Sequence, residues 1–116
     1  MNLISFVVEN NWLHRGRMDF GWGNGYVAIP KEHKFHGLDY YEIEDIANIE
    51  VNGGLTLSCS ASEFKDIPEL TEEFKDYWVL GFDTAHLYDT LEKWPKEAVE
   101  KETNYLKSQL EKIGGK

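Results

Sequence analysis

With 116 residues, of which 41% are hydrophobic and 14% aromatic, the chain holds enough apolar material for one core, which argues against a disordered protein or a fold reliant on disulfides or a structural metal. A net charge of −9 argues against duplex nucleic acid as a partner, because that affinity rests on lysine and arginine neutralising phosphates. The single cysteine, Cys59, cannot close an internal disulfide, and with no signal-peptide pattern and no apolar run long enough for a bilayer the chain is expected to be soluble and intracellular.

The charge is unevenly spread. Residues 1 to 36 carry four basic side chains (Arg15, Arg17, Lys31, Lys34) against three acidic ones, and residues 37 to 116 carry eight against eighteen, so +1 and −10 make up the −9. Both arginines lie in the first part, which leaves room there for a local anion site.

Taken in order, Leu3 to Val8 is dense in β-branched and aromatic residues and predicts a strand; a continuation through Trp12 to His14, after a turn at Asn10-Asn11, is open. Glycine at every second position of Phe20-Gly21-Trp22-Gly23-Asn24-Gly25 invites a dinucleotide reading. The run leads into strand-like Tyr26-Val27-Ala28-Ile29-Pro30 rather than a helix, so a tight turn or bulged strand entry is preferred. Pro30 ends that strand. Lys31 to Asp45 reads as a loop with one helical turn. Asn48 to Val51 and Leu55 to Cys59 predict a hairpin about Asn52-Gly53-Gly54, with Leu55, Leu57 and Cys59 on its core face and Thr56, Ser58 and Ser60 opposite. Residues 60 to 76 are polar and read as a surface excursion. Trp78 to Phe82 is apolar on both faces, as only a central strand can be, and it opens abruptly onto Asp83, Thr84, His86 and Asp89. Trp94-Pro95 starts a helix with an apolar stripe from Ala98 to Ile113, stopped by Gly114-Gly115.

The titratable side chains permit several chemistries. His33 with His36, and Asp83 with His86 and Asp89, could converge on one cation, but no motif supplies the closed ligand set of a metal site, and no tightly held metal is expected. Ser58 and Cys59 lack the glycine-flanked elbow of a nucleophile. Asp83 could orient His86 for acid-base work. A binding module fits the inventory better, because an aromatic ring beside a cation suits a base beside a phosphate.

Three blocks, Gly25-Tyr26-Val27-Ala28-Ile29-Pro30 with His33, Val51-Asn52-Gly53-Gly54-Leu55-Thr56-Leu57-Ser58, and Trp78-Val79-Leu80-Gly81-Phe82-Asp83-Thr84-Ala85-His86 with Asp89, together resemble a family of small bacteriophage and prophage proteins. Within it, the chain looks like the phage anti-CBASS sponges, which sequester the cyclic dinucleotide alarm signals of bacterial immunity. That resemblance implies a homo-oligomer, no catalysis and a location in the host cytoplasm.

The sequence thus predicts one α+β domain over residues 1–116: a mainly antiparallel sheet of about five or six strands with the C-terminal helix packed on one face. The expected function is binding and sequestration of a cyclic dinucleotide or related nucleotide signal, without cofactor, membrane or duplex nucleic acid. Tyr26, Tyr40 and Tyr88 would take the bases; Thr56, Ser58, His86 and Arg15 or Arg17 would take the phosphates, with His33 and Asp83 completing the site. Alanine at His86 or Thr56 is expected to weaken binding and leave stability nearly unchanged. Two alternatives stand: a small metal-assisted or acid-base hydrolase acting on a nucleotide or phosphoester, and a protein-protein inhibitor of a host defence factor that mimics nucleic-acid charge.

Overall fold

The computed structural model describes residues 2–10, 20–64, 67–86 and 88–114. In chain order they form β1 (Ile4–Glu9), β2 (Gly23–Ile29), α1 (Tyr40–Ile46), β3 (Leu57–Ser60), β4 (Trp78–Phe82) and α2 (Lys96–Ile113), with short 3-10 turns at Ala61–Glu63 and Glu72–Phe74. The strands lie in the order β1-β2-β4-β3, and every neighbouring pair is antiparallel. The α+β architecture expected from the sequence is therefore present. The sheet has four strands among the described residues, where about five or six were expected; the open continuation at Trp12 to His14 lies outside the described residues.

β4 occupies an interior position, as its two apolar faces require. Leu80 and Phe82 point into the larger core with Val27 and Ile29 of β2, while Val79 points to the opposite face with Phe6, Tyr26 and Ala28. On the first face lies α2, whose Val99, Thr103, Leu106 and Leu110 recur at helical spacing and are all buried. Gly25 permits this close docking: a side chain there would fall on Thr103 and on the Phe82 ring. The helix begins after Pro95 and ends at Gly114, whose positive φ of 66° closes a bond from its N–H to the Leu110 carbonyl at 3.0 Å. Each fully buried aliphatic side chain contributes roughly 1.5 to 3 kcal/mol, so loss of Val99, Leu106 and Leu110 would consume much of a domain's total of roughly 5 to 15 kcal/mol.

The excursion after β3 is more than surface. Ala61, Phe64, Ile67, Leu70 and Tyr77 pack on the second face of the sheet, where Phe64 meets the Phe6 and Tyr26 rings edge-on. The sheet is thus covered on both sides, by a helix on one and by an irregular segment on the other.

The hairpin expected at 48–51 and 55–59 does not form. The Gly53-Gly54 turn is present, with φ of 73° and 81° and a bond from Gly54 N–H to the Val51 carbonyl, but β3 pairs with β4 and residues 48–51 are not a strand. At Glu50 and at Asn52, which follows the segment, α2 side chains bond the backbone instead. Gln109 Oε1 accepts from Glu50 N–H at 2.7 Å, Gln109 Nε2 donates to the Glu50 carbonyl at 2.8 Å, and Glu102 Oε2 accepts from Asn52 N–H at 2.8 Å. The apolar alternation holds within β3, where Leu57 and Cys59 face the second cluster, but Leu55 lies in the first. Among the described residues no helix is long and apolar enough to cross a membrane.

Candidate functional site

The polar cluster is built where β4 leaves the sheet. Thr84, fully buried, donates its hydroxyl to the Gly23 carbonyl at 2.7 Å and accepts Gly21 N–H on its own carbonyl at 2.8 Å, which pins the strand exit to β2. The chain then turns on itself. His86 N–H donates to Asp89 Oδ2 at 3.0 Å, and Asp89 N–H donates to the His86 carbonyl at 2.9 Å.

Asp89 has no solvent exposure, yet its carboxylate is well supplied with donors. Oδ2 lies 2.5 Å from His86 Nδ1, and Oδ1 accepts from Asn52 Nδ2 at 3.0 Å. The other imidazole nitrogen, Nε2, faces Asp83 Oδ1 at 3.3 Å. A ring protonated on both nitrogens can donate to both carboxylates, whereas a neutral ring can donate to one. Gly53 lies against the same imidazole, so that any side chain at that position would fall on Cε1 and Nε2. The Asn52-Gly53 turn and the His86-Asp89 turn are therefore packed as one unit, and the bond from Asn52 to Glu102 joins that unit to α2.

Tyr88 stands outermost. Its ring lies parallel to the His86 ring, with centroids 5.2 Å apart and planes 4° apart, and the residue is 58% exposed. The Asp83 side chain beside them is 35% exposed. What reaches solvent is thus a flat aromatic surface next to a carboxylate, on a base fixed by hydrogen bonds to the buried Asp89 carboxylate. No family model, curated protein or solved structure matches this chain.

Of the residues singled out from the sequence, Asp83, His86 and Tyr88 are brought together. Thr56 is exposed on the segment that follows the Gly53-Gly54 turn, and its N–H donates to the Gly81 carbonyl at 2.9 Å. Ser58 and Tyr40 form a separate contact, with Tyr40 N–H donating to Ser58 Oγ at 3.0 Å and the Tyr40 ring edge-on to Tyr41.

Two expected site residues belong to the core. Tyr26 is 8% exposed, stacked on Phe6 beneath Phe64, so its faces are covered; its hydroxyl accepts from Asn24 Nδ2 at 3.3 Å. His33 is fully buried, with Nε2 donating to the Leu110 carbonyl at 2.8 Å and Nδ1 accepting Phe35 N–H at 3.0 Å. Arg15 and Arg17 lie outside the described residues.

The two histidine groups do not converge on a cation. His36 Nε2 donates to the Asp76 carbonyl, His33 is occupied as above, and the imidazole of His86 sits between Asp83 and Asp89 rather than beside them around a common point. Among the described residues no group of three or more His, Cys, Asp or Glu side chains could hold a metal. Asn52 and Glu102 were not singled out. Asn52 reads in sequence as a turn former, and nothing local shows that its amide reaches a carboxylate 37 residues away.

Proposed function

We propose that this protein binds a nucleotide signal through its base and returns it unchanged. The observation that carries the reading is the exposed Tyr88 ring, stacked on an imidazole that buried Asp89 and Asn52 hold in place. A base stacked on an aromatic side chain contributes roughly 1 to 3 kcal/mol, and a platform ordered before binding loses little entropy on complex formation. The adjacent Asp83 carboxylate is an acceptor suited to the N–H edge of a purine. Base-first binding also fits the net charge of −9, since it leaves phosphates turned toward water and away from Asp83, Asp89 and Glu102. The sequence resemblance to the anti-CBASS sponges supports a cyclic dinucleotide as the ligand and sequestration in an infected host as the action.

A second reading, acid-base hydrolysis, is favoured by one feature: a buried carboxylate behind Nδ1 is the arrangement that orients a catalytic imidazole. Nε2, however, faces Asp83 and not a serine, threonine or cysteine. Incubating the protein with cyclic dinucleotides, releasing the ligand by heat and separating it by chromatography tests the choice. Intact ligand supports binding without turnover, and a linear or hydrolysed product supports the enzyme.

A further inference from the structure

Among the described residues the β1 edge of the sheet is unpaired at Ser5 and Val7, and it lies in a groove. Asn10 N–H donates to the Trp22 carbonyl at 2.8 Å, continuing the register in which Val8 faces Asn24 and Phe6 faces Tyr26. In an antiparallel ladder the bonded pairs recur at every second residue, so Ser5 and Val7 turn their N–H and C=O groups away from β2. The opposite parity on β2 agrees: Gly21 and Gly23 bond toward Thr84, not toward β1. Neither Ser5 nor Val7 makes another hydrogen bond among the described residues.

Around these outward groups the structure leaves a groove of about 330 Å³, floored by Ser5, Phe6 and Val7. Glu69 rises on one side, from the segment covering the second sheet face, and Glu100 and Lys96 rise on the other, from α2. Lys96 is drawn over the Trp22 ring, 5.6 Å from its centroid. The far edge of the sheet differs. β3 has four residues, and α1 reaches it through the bond from Tyr40 N–H to Ser58 Oγ. β1 has neither proline nor lysine, the usual devices that discourage strand pairing.

We infer that the β1 edge is a docking slot for an extended peptide segment of a partner protein bearing lysine or arginine. Such a strand adds to the sheet through the N–H and C=O groups of Ser5 and Val7. Successive side chains point to opposite faces, so adjacent basic residues reach Glu69 on one wall and Glu100 on the other. A second copy of this acidic chain would bring the same carboxylates to the same slot, which disfavours self-pairing. This surface is separate from the Tyr88 platform and does not depend on it.

The test uses the full chain and a fluorescein-labelled capped peptide, Thr-Val-Lys-Lys-Val-Thr, with Thr-Val-Glu-Glu-Val-Thr as its control, followed by anisotropy. The lysine peptide should bind about ten-fold or more tightly than the glutamate peptide and slow amide exchange at Ser5 and Val7. Ser5→Pro removes an N–H that the sheet does not use, and Glu100→Lys reverses one wall; each should weaken binding about ten-fold while the melting temperature is kept. Should Ser5→Pro unfold, Glu100→Lys and a backbone N-methylated lysine peptide still decide the matter. The inference is overturned by no binding, by equal binding of the glutamate peptide, by affinity indifferent to Glu100→Lys and to N-methylation, or by a doubling of mass that protects Ser5 and Val7 without peptide.

Discussion

The buried carboxylate of Asp89 lies 2.5 Å from His86 Nδ1, and this contact makes His86 part of the fold as well as part of the site. Removing the ring would leave a desolvated carboxylate oxygen with one donor fewer. His86→Ala should therefore cost roughly 1 to 3 kcal/mol, as should Asn52→Ala, and the double variant should lose less than the sum because both side chains serve one carboxylate. Urea denaturation of the four proteins checks this. From the sequence, alanine at His86 is expected to leave stability nearly unchanged, and the bond to Asp89 argues for a larger cost.

Gly53 combines a φ of 73° with contact against the His86 ring. Gly53→Ala should cost roughly 1 to 3 kcal/mol from the backbone alone, and it should also displace the imidazole and so the Tyr88 stack. Gly54→Ala meets the same backbone penalty, at φ of 81°, but faces only the Glu44 carboxylate. Of the two variants, Gly53→Ala should have the lower melting temperature and the weaker ligand binding.

His33 makes stability depend on pH. Burial holds its pKa below the ordinary 6.5, outweighing the bond to Leu110 that acts in the opposite sense; His36 lowers it further. The geometry agrees, because Nδ1 accepts Phe35 N–H and cannot do so when protonated. The folded state thus binds the proton less readily than the unfolded chain. Its contribution is complete above pH 6.5 and is lost as pH falls from there through the lower folded value. Melting temperature should fall on acidification through this window, and less so in His33→Gln; an equal fall in both proteins would assign it to other groups.

Cys59 is half-buried among the side chains on the second sheet face, and burial, with a smaller effect of Glu63, pushes its thiol up to about 11 from 9.0. Near pH 8 the thiolate fraction should be lower by about a hundred-fold than in the unfolded chain. Iodoacetamide should label the native protein far more slowly than the urea-unfolded one.

Much of this was legible from residue order because the relevant forces are local. The two-sided apolar run at Trp78 to Phe82 gave away an interior strand, Pro95 and Gly114 bracket α2, and positive φ at Gly53 and Gly54 follows from their identity. What the sequence concealed depends on contacts across long separations. Residues 48–51 resemble a strand, but Gln109 takes both backbone hydrogen bonds of Glu50 that a partner strand would have taken, and Glu102 takes the N–H of Asn52 beyond it. Tyr26 and His33 carry polar atoms suited to a ligand, but Phe6 and Phe64 cover the Tyr26 ring, and Leu110 and Phe35 occupy both His33 nitrogens. Asp83, His86 and Tyr88 were legible as a group since they follow one strand, whereas Asn52 reaches them from another turn.

The central claim is that Tyr88 and Asp83 receive the base of a cyclic dinucleotide, and titration calorimetry of the native protein, Tyr88→Ala and Asp83→Asn against a panel of cyclic dinucleotides tests it most directly. The account predicts saturable heat with at least one member, a loss of affinity of about ten-fold or more in each variant, equivalent to about 1.4 kcal/mol, and melting temperatures close to that of the native protein. No heat with any member, or binding unchanged by both substitutions, would contradict it.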